Sequence, residues 1–115
     1  MPNVVDAFGP VEWSVVKSPE GPVVPGVWSK TLRRPGNDEQ SLVLVRFDVG
    51  ASHPVHVHNQ PQQVLILEGS LEDHVTGEGG GEQSYLHYRG AFVEYPAGAK
   101  HRQLSPSGCL LLLTL

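Results

Sequence analysis

Glycine and proline interrupt this chain every few positions. The 115 residues include 13 glycines and 10 prolines, which together make up a fifth of the sequence. Proline breaks a helix and glycine weakens one, and no segment shows the apolar period of a helix. Between the interruptions, apolar and polar residues alternate. In "VRFDVG", for example, Val45, Phe47 and Val49 share one face of a strand. The sequence therefore predicts an all-β protein built from short strands.

Several segments carry the pattern of individual strands. "QVLILEG" is a short apolar run that we expect to end at a turn glycine, Gly69, and "SYLHYRG" alternates. "GCLLLLTL" is apolar on both faces, which is typical of a central strand. Turns are expected at 34–38, 77–81 and 96–98, where Gly, Pro, Asn and Asp cluster. Many short strands at this spacing indicate a sandwich or a barrel.

The length of the chain is that of one domain with one core. We expect a single domain over residues 1–115, without an internal boundary or repeat. Residues 1–40 are rich in proline and fit edge strands and an outer wrapping segment. Residues 41–115 are expected to form the barrel core.

Charge and hydropathy exclude several classes of partner. The net charge is −4 with neutral histidines, and basic residues are sparse, so nucleic-acid binding is not expected. No apolar run reaches the roughly 18 residues of a membrane helix, and the N-terminus lacks the pattern of a signal peptide. The single cysteine, Cys109, excludes an internal disulfide. We expect a cytoplasmic protein without a membrane partner.

Histidines are concentrated in "HPVHVHNQPQQ", residues 53–63. Residues i and i+2 of a strand point to the same side, so His56 and His58 present two imidazoles to one region, about 7 Å apart along the chain. Imidazole is a common ligand for Zn, Fe, Ni and Cu. The His-x-His pattern alone fits a solvated strand face at least as well as a metal site, so the decision depends on the surrounding residues.

Those surroundings form two gapped motifs. The first is G-x5-H-x-H-x3-Q-x6-G and the second is G-x5-P-x-G-x2-H-x3-S. In order and spacing they resemble the two signature motifs of the cupin superfamily, although the family has Glu in place of Gln62 and Asn in place of Ser105. The matching positions are Gly50, His56, His58, Gln62, Gly69, Gly90, Pro96, Gly98, His101 and Ser105.

A narrower resemblance lies in "VPGVWSKTL", "LILEGSLEDH" and "YPAGAKHRQLSPSGCLLLLTL". These segments are similar to the cupin domain at the C-terminus of ChrR-type zinc-binding anti-sigma factors. The sequence contains no counterpart of the helical zinc domain that grips the sigma factor in ChrR, so the resemblance implies a single-domain ChrR-like cupin without anti-sigma activity.

The resemblance implies a small antiparallel double-stranded β-barrel, or jelly roll, with one divalent transition metal (Zn, Fe, Ni or Mn) per chain. His56, His58 and His101 match the histidine ligands of the family, and Gln62 matches its carboxylate ligand. An amide oxygen cancels no charge, so a site with Gln62 would keep the full +2 charge of its ion. The alternative is a site of three histidines only, and Gln63 or Gln60 are register alternatives to Gln62.

Three functions fit such a site, each with a small molecule as substrate or ligand. The first is an Fe(II) dioxygenase acting on a β-diketone or aryl ketone. The second is a ChrR-like zinc-binding sensor or ligand-binding module without catalysis, and the third is a metal-free or sugar-binding domain. The catalytic residues are not identified, because nothing shows that Glu68, Glu72 or Glu94 faces the metal.

The remaining histidines are expected outside the site. His53 precedes a proline at the end of a loop, which favours the surface, and His74 and His87 fall on or beside hairpin strands.

A homodimer is expected from the N-terminal region. Between Val4 and Val27, and in Trp13 and Trp28, this region holds apolar residues with little local core to join. Exposed apolar surface of that kind often marks an interface. The alternative is that the segment wraps its own barrel.

Overall fold

The computed structural model describes residues 2, 4, 6, 12–34 and 40–115. These residues form nine β-strands in antiparallel pairs, which confirms the all-β prediction. The strands are β1 Ser14–Lys17, β2 Val23–Arg33, β3 Leu42–Phe47, β4 Ser52–Val57, β5 Gln62–Thr76, β6 Glu82–Tyr88, β7 Phe92–Tyr95, β8 Lys100–Leu104 and β9 Cys109–Thr114. Among the described residues, no helix is long and apolar enough to cross a membrane.

The strands form two sheets that share the long strand β5. One sheet has the order β1-β2-β3-β9-β5-β7, and the other has the order β4-β8-β5-β6. The first half of β5 pairs with β7 and β9, and its second half pairs with β6 and β8. The sheets therefore curl around one interior as an antiparallel half-barrel, which is the predicted jelly-roll architecture.

The change of sheet occurs at Gly69, where the sequence predicted the end of a strand. That prediction is wrong, because β5 bends there and continues to Thr76. Gly69 has a φ of 77°, and a Cβ atom at this position would collide with the carbonyl oxygen of Gly108. Glycine tolerates both the positive φ and the close approach, so the strand changes sheet without stopping.

The core lies between the two sheets. Its most buried apolar side chains are Val27, Val64, Ile66, Leu71 and Leu111, each at most 1% exposed. β9 pairs with β3 on one side and β5 on the other, so its prediction as a central strand is confirmed.

The predicted apolar face of "VRFDVG" is right for two of its three residues. Val45 and Phe47 are buried, but Val49 is 77% exposed because β3 ends at Phe47 and the chain turns at Asp48–Ala51. The alternating sequence pattern therefore continues two residues past the end of β3.

Two of the predicted turns are confirmed. Gly77 donates its N–H to the carbonyl of Gly81 at 2.8 Å, and Ala99 donates to Pro96 at 3.1 Å. The first turn closes the β5–β6 hairpin and the second leads into β8. Of the turn predicted at 34–38, residues 35–38 lie outside the described part of the chain.

Candidate metal centre

Two neighbouring strands bring three histidines together. His56 of β4 lies directly opposite His101 of β8 in the ladder, and His58 follows two residues after His56. The Nε2 atom of His101 lies 3.0 Å from that of His56 and 2.7 Å from that of His58. One nitrogen from each ring falls within 4.8 Å of the other two. The structure thus brings the three histidines of the sequence prediction to one point.

Hydrogen bonds fix the tautomers of two of these rings. Nδ1 of His56 lies 2.9 Å from the carbonyl oxygen of Pro54, and Nδ1 of His101 lies 2.8 Å from Oδ1 of Asp73. Both partners only accept, so both Nδ1 atoms carry the proton. In the neutral form of each ring the Nε2 atom then carries a lone pair, and the Nε2 atoms of His56 and His101 face each other, an arrangement that a shared cation stabilises. Neutral imidazole nitrogens are the donors that Zn, Fe and Ni prefer, so the donor set fits a divalent transition metal.

His56 and His58 do not bind a proton at neutral pH. Burial lowers the pKa of His56 to about 4. The hydrogen bond to Pro54 acts in the opposite direction, and repulsion from His101 lowers the pKa further. Burial also lowers the pKa of His58 to about 4, again with repulsion from His101. Both rings are therefore neutral near pH 7 and available as metal ligands.

Asp73 orients His101 from behind. The side chain is 1% exposed and accepts hydrogen bonds from Nδ1 of His101 and from the hydroxyl of Tyr95. Burial raises the pKa of Asp73, but the hydrogen bonds from His101 and Tyr95 outweigh it and leave the pKa below its usual value. A carboxylate behind a ligating histidine fixes the ring and increases its basicity. Asp73 therefore places a buried negative charge directly behind the histidine cluster.

Asp73 was not predicted from the sequence, where Glu68, Glu72 and Glu94 were the acidic candidates. Glu72 accepts a hydrogen bond from His74, and Glu94 is exposed. Asp73 pairs with Gln103, two residues from His101, so the two share the inward face of their sheet. The signal was the alternation of Leu71, Asp73 and Val75, which places an acid on an apolar face. This alternation identifies Asp73 as an inward-facing acid only once the direction of the apolar face is known.

Gln62 is the one buried residue among the three glutamine candidates. It is 5% exposed, whereas Gln60 and Gln63 are exposed. Nε2 of Gln62 donates to the carbonyl oxygen of Thr114 at 3.2 Å, so Oε1 is the amide atom that remains for a ligand. Gln62 lines the same cavity as His56 and His58. Its role as a fourth ligand stays a prediction.

Of the other three histidines, His53 lies beside the cluster in the cavity wall, and His74 and His87 lie on the side of Asp73. His53, which was expected on the surface, is partly buried, and its ring centroid lies 4.3 Å from that of His56. It therefore lies in the wall of the site, since Pro54 and the strand pairing hold it inward. Nε2 of His87 faces Asp73 at 3.6 Å, and His74 bonds to Glu72 and Ser84.

His53, His56 and His58 line one end of a cavity of about 460 Å³, which we call the histidine cavity. This volume lies within the roughly 300–1,000 Å³ of small-molecule sites. Apart from the polar end, aliphatic side chains form most of its wall. The lining residues are Val15, Val16, Lys17, Pro19, Val27, Ser29, Val45, Phe47, His53, His56, Val57, His58, Gln62, Gln103, Leu111, Leu113 and Leu115.

A curled antiparallel double sheet with histidines directed into one end is the architecture of a cupin. A sequence profile of the ChrR cupin-like domain matches residues 11–115. The chain therefore belongs to the ChrR cupin-like family, as its motifs predicted. No curated protein matches the sequence at a significant level.

Solved structures with the same fold include several cupins. The polyketide cyclase RemF from Streptomyces resistomycificus has a TM-score of 0.80 and 20% identity, over 99% of this chain and 79% of RemF. An RmlC-like cupin from Shewanella frigidimarina has a TM-score of 0.69 and 23% identity, over 96% of this chain and 89% of the other. Drosophila melanogaster CENP-C, in complex with CAL1, has a TM-score of 0.72 and 13% identity, over 95% and 82%. Identities this low establish a common fold and leave activity open.

Proposed function

We propose that this protein is a metal-dependent dioxygenase that binds a β-diketone or aryl ketone at the histidine centre. The observation that supports a metal is the convergence of three Nε2 atoms, two of which have tautomers that leave only lone pairs facing inward. His56, His58 and His101 would hold the metal, with Gln62 as the fourth donor. Fe(II) is the metal typical of non-haem oxygenase sites.

When bound, a divalent ion supplies a Lewis acid that polarises a carbonyl or enolate oxygen. The protein contributes orientation and exclusion of water. Asp73 holds His101 in one tautomer, and the aliphatic wall of the histidine cavity packs against the organic body of the substrate.

The proposed reaction on a β-diketone breaks the bond between the central carbon and one carbonyl carbon. Dioxygen is the oxidant, and each of the two products takes up one of its oxygen atoms. The structural similarity to a protein named as a polyketide cyclase supports this ligand class, because polyketides contain 1,3-dicarbonyl units. The same ligand class suits an enolate-binding site that carries no carboxylate donor.

The second candidate is a ChrR-like zinc-binding sensor or ligand-binding module without turnover. The match to the ChrR cupin-like family favours it. In this case the same three histidines hold zinc, and the cavity binds a small ligand that changes the stability or the surface of the domain.

Anaerobic reconstitution with Fe(II), followed by oxygen uptake, separates these functions. We expect uptake of one dioxygen per molecule of substrate with some member of a panel of β-diketones and aryl ketones. The zinc-loaded protein and His101→Ala are the controls, and both should give no uptake. Iron-loaded protein that binds panel members without consuming oxygen would rule out the dioxygenase and leave the binding module.

A further inference from the structure

The wall of the histidine cavity has an uneven distribution of charge. Lys17 is the one Lys or Arg among the lining residues, and neither Asp nor Glu contributes to the described wall. Within the described part of the chain, the exposed Lys17 ammonium forms no ion pair. The chain as a whole has a net charge of −4, so its excess of carboxylates lies outside this wall. The wall favours an uncharged or anionic occupant.

The local structure of β1 places Lys17 in this wall. β1 is an edge strand that pairs only with β2 among the described residues, and its ladder is irregular between Val15 and Val16. Val15 pairs with Trp28 and Val16 with Val24, so the unpaired residues 25–27 belong to β2 and β1 is continuous. Irregular pairing of this kind is common next to binding sites, and Val15, Val16 and Lys17 all line the cavity here.

The remaining wall defines the body of the ligand. On the side of β2, β3 and β9 it consists of Val27, Val45, Phe47, Leu111 and Leu113, all of them buried apolar residues of the core. The histidines occupy the polar end. A ligand that fits this arrangement has an oxygen-bearing group at the histidines, an apolar body and an anionic group that reaches Lys17.

We propose that the histidine cavity selects a ketone that carries a carboxylate, and that Lys17 is the specificity residue that pairs with this carboxylate. This inference rests on the proposed function for the ketone end of the ligand. The pairing with Lys17 does not need a bound metal, so it can be tested separately from metal binding and turnover.

The test uses three compounds with the same aryl ketone body. They are 4-oxo-4-phenylbutanoate (anion), its carboxamide (neutral) and 4-(dimethylamino)-1-phenylbutan-1-one (cation). Calorimetric titration is carried out at low ionic strength on the metal-free and the zinc-loaded protein. We expect wild type to bind the carboxylate more tightly than the amide in both forms. The preference should shrink as salt is added, because the pairing is partly exposed.

Variants at position 17 assign the preference to this lysine. Lys17→Gln should weaken carboxylate binding about two- to fivefold, the range for an exposed ion pair, without affecting the amide. Lys17→Arg should retain the preference, and Lys17→Glu should transfer it to the amine. Arg89→Glu changes the net charge equally at an exposed turn outside the cavity wall, so it should behave like wild type.

Three results would overturn the inference: equal affinity of wild type for the carboxylate and the amide, equal behaviour of Lys17→Glu and Arg89→Glu, or binding of none of the compounds. Loss of metal binding or of oxygen uptake would instead count against the proposed function. The preference measured on metal-free protein would then still stand.

Discussion

His101 connects the parts of the candidate centre. The residue is fully buried, and its two ring nitrogens have different partners. Nδ1 binds Asp73, and Nε2 faces His56 and His58. Because the ring cannot turn without breaking the contact to a buried carboxylate, its metal-facing nitrogen is held in advance of binding. The residues behind the histidines therefore matter for metal affinity as well as the histidines themselves.

Asp73→Asn should lower metal affinity about 10- to 100-fold, because the amide still accepts a hydrogen bond but no longer supplies charge to His101. Competition with a chelator of known affinity measures this loss, and circular dichroism checks the fold. Asp48→Asn removes an exposed carboxylate outside the site and serves as the control. Unchanged affinity in Asp73→Asn would mean that the carboxylate has only a structural role.

Substitutions of Gln62 test whether its amide is a ligand. If it is, Gln62→Glu should tighten metal binding, because a charged oxygen replaces a neutral one, and should weaken binding of anionic ligands. Gln62→Ala should loosen the metal less than His101→Ala does. The same chelator competition compares the variants. Equal metal affinities for wild type, Gln62→Ala and Gln62→Glu would reduce the site to three histidines.

The metal-free protein should lose stability in acid because of His56 and His58. Their pKa values are about 4 in the folded protein, below the ordinary 6.5 that applies to the unfolded chain. Between these values the unfolded chain binds more protons, so the free energy of unfolding falls as the pH decreases from 6.5 to 4. Thermal unfolding in chelator measures the slope, which should be shallower in His58→Asn. An equally steep slope in that variant would contradict the assignment.

At the scale of strands, the sequence was informative where the pattern was local. The alternation in "VRFDVG" and the apolar run in "GCLLLLTL" predicted β3 and β9, because the polarity of each side chain indicates whether its face of the strand is buried. The behaviour of Gly69 was not readable in this way. Whether a positive-φ glycine ends a strand or bends it depends on Gly108, which lies far along the chain and near in space.

The residues of the candidate centre also differ in whether local sequence could predict them. His56, His58 and His101 belong to motifs with recognisable spacing, and they were predicted. Asp73 and His53 were not, because their positions depend on the register of β5 and β4 against β8. Spacing along one strand identifies residues on one face, but the identity of the facing residue requires the fold.

Replacement of Gly69 tests the bend in β5. Gly69→Ala should destabilise the protein by about 2 to 5 kcal/mol, the sum of left-handed backbone strain and a forced shift of a neighbour. Gly79→Ala is a matched control, since Gly79 also has a positive φ but nothing lies within 4 Å of its added Cβ. It should cost about 1 to 2 kcal/mol. Chemical denaturation that gave equal losses would show that the contact with Gly108 can relax.

For the whole molecule, the N-terminal region contributes more to the core than its composition suggested. Val24 and Val27 are buried in the core, whereas Val15 and Val23 are about half exposed. Part of the apolar surface that motivated a dimer is therefore covered within the chain. Homodimerisation, a single domain over residues 1–115 and a cytoplasmic location stay predictions.

The central claim is that the three histidines hold one divalent metal, and a calorimetric titration of metal-free protein with Zn²⁺ at pH 7 tests it directly. We expect one site per chain in wild type and loss of the high-affinity phase in His101→Ala, with circular dichroism showing that the variant is folded. His74→Ala removes a histidine outside the candidate centre and should bind as wild type does. Absence of zinc binding by wild type, or equal binding by His101→Ala, would contradict the claim.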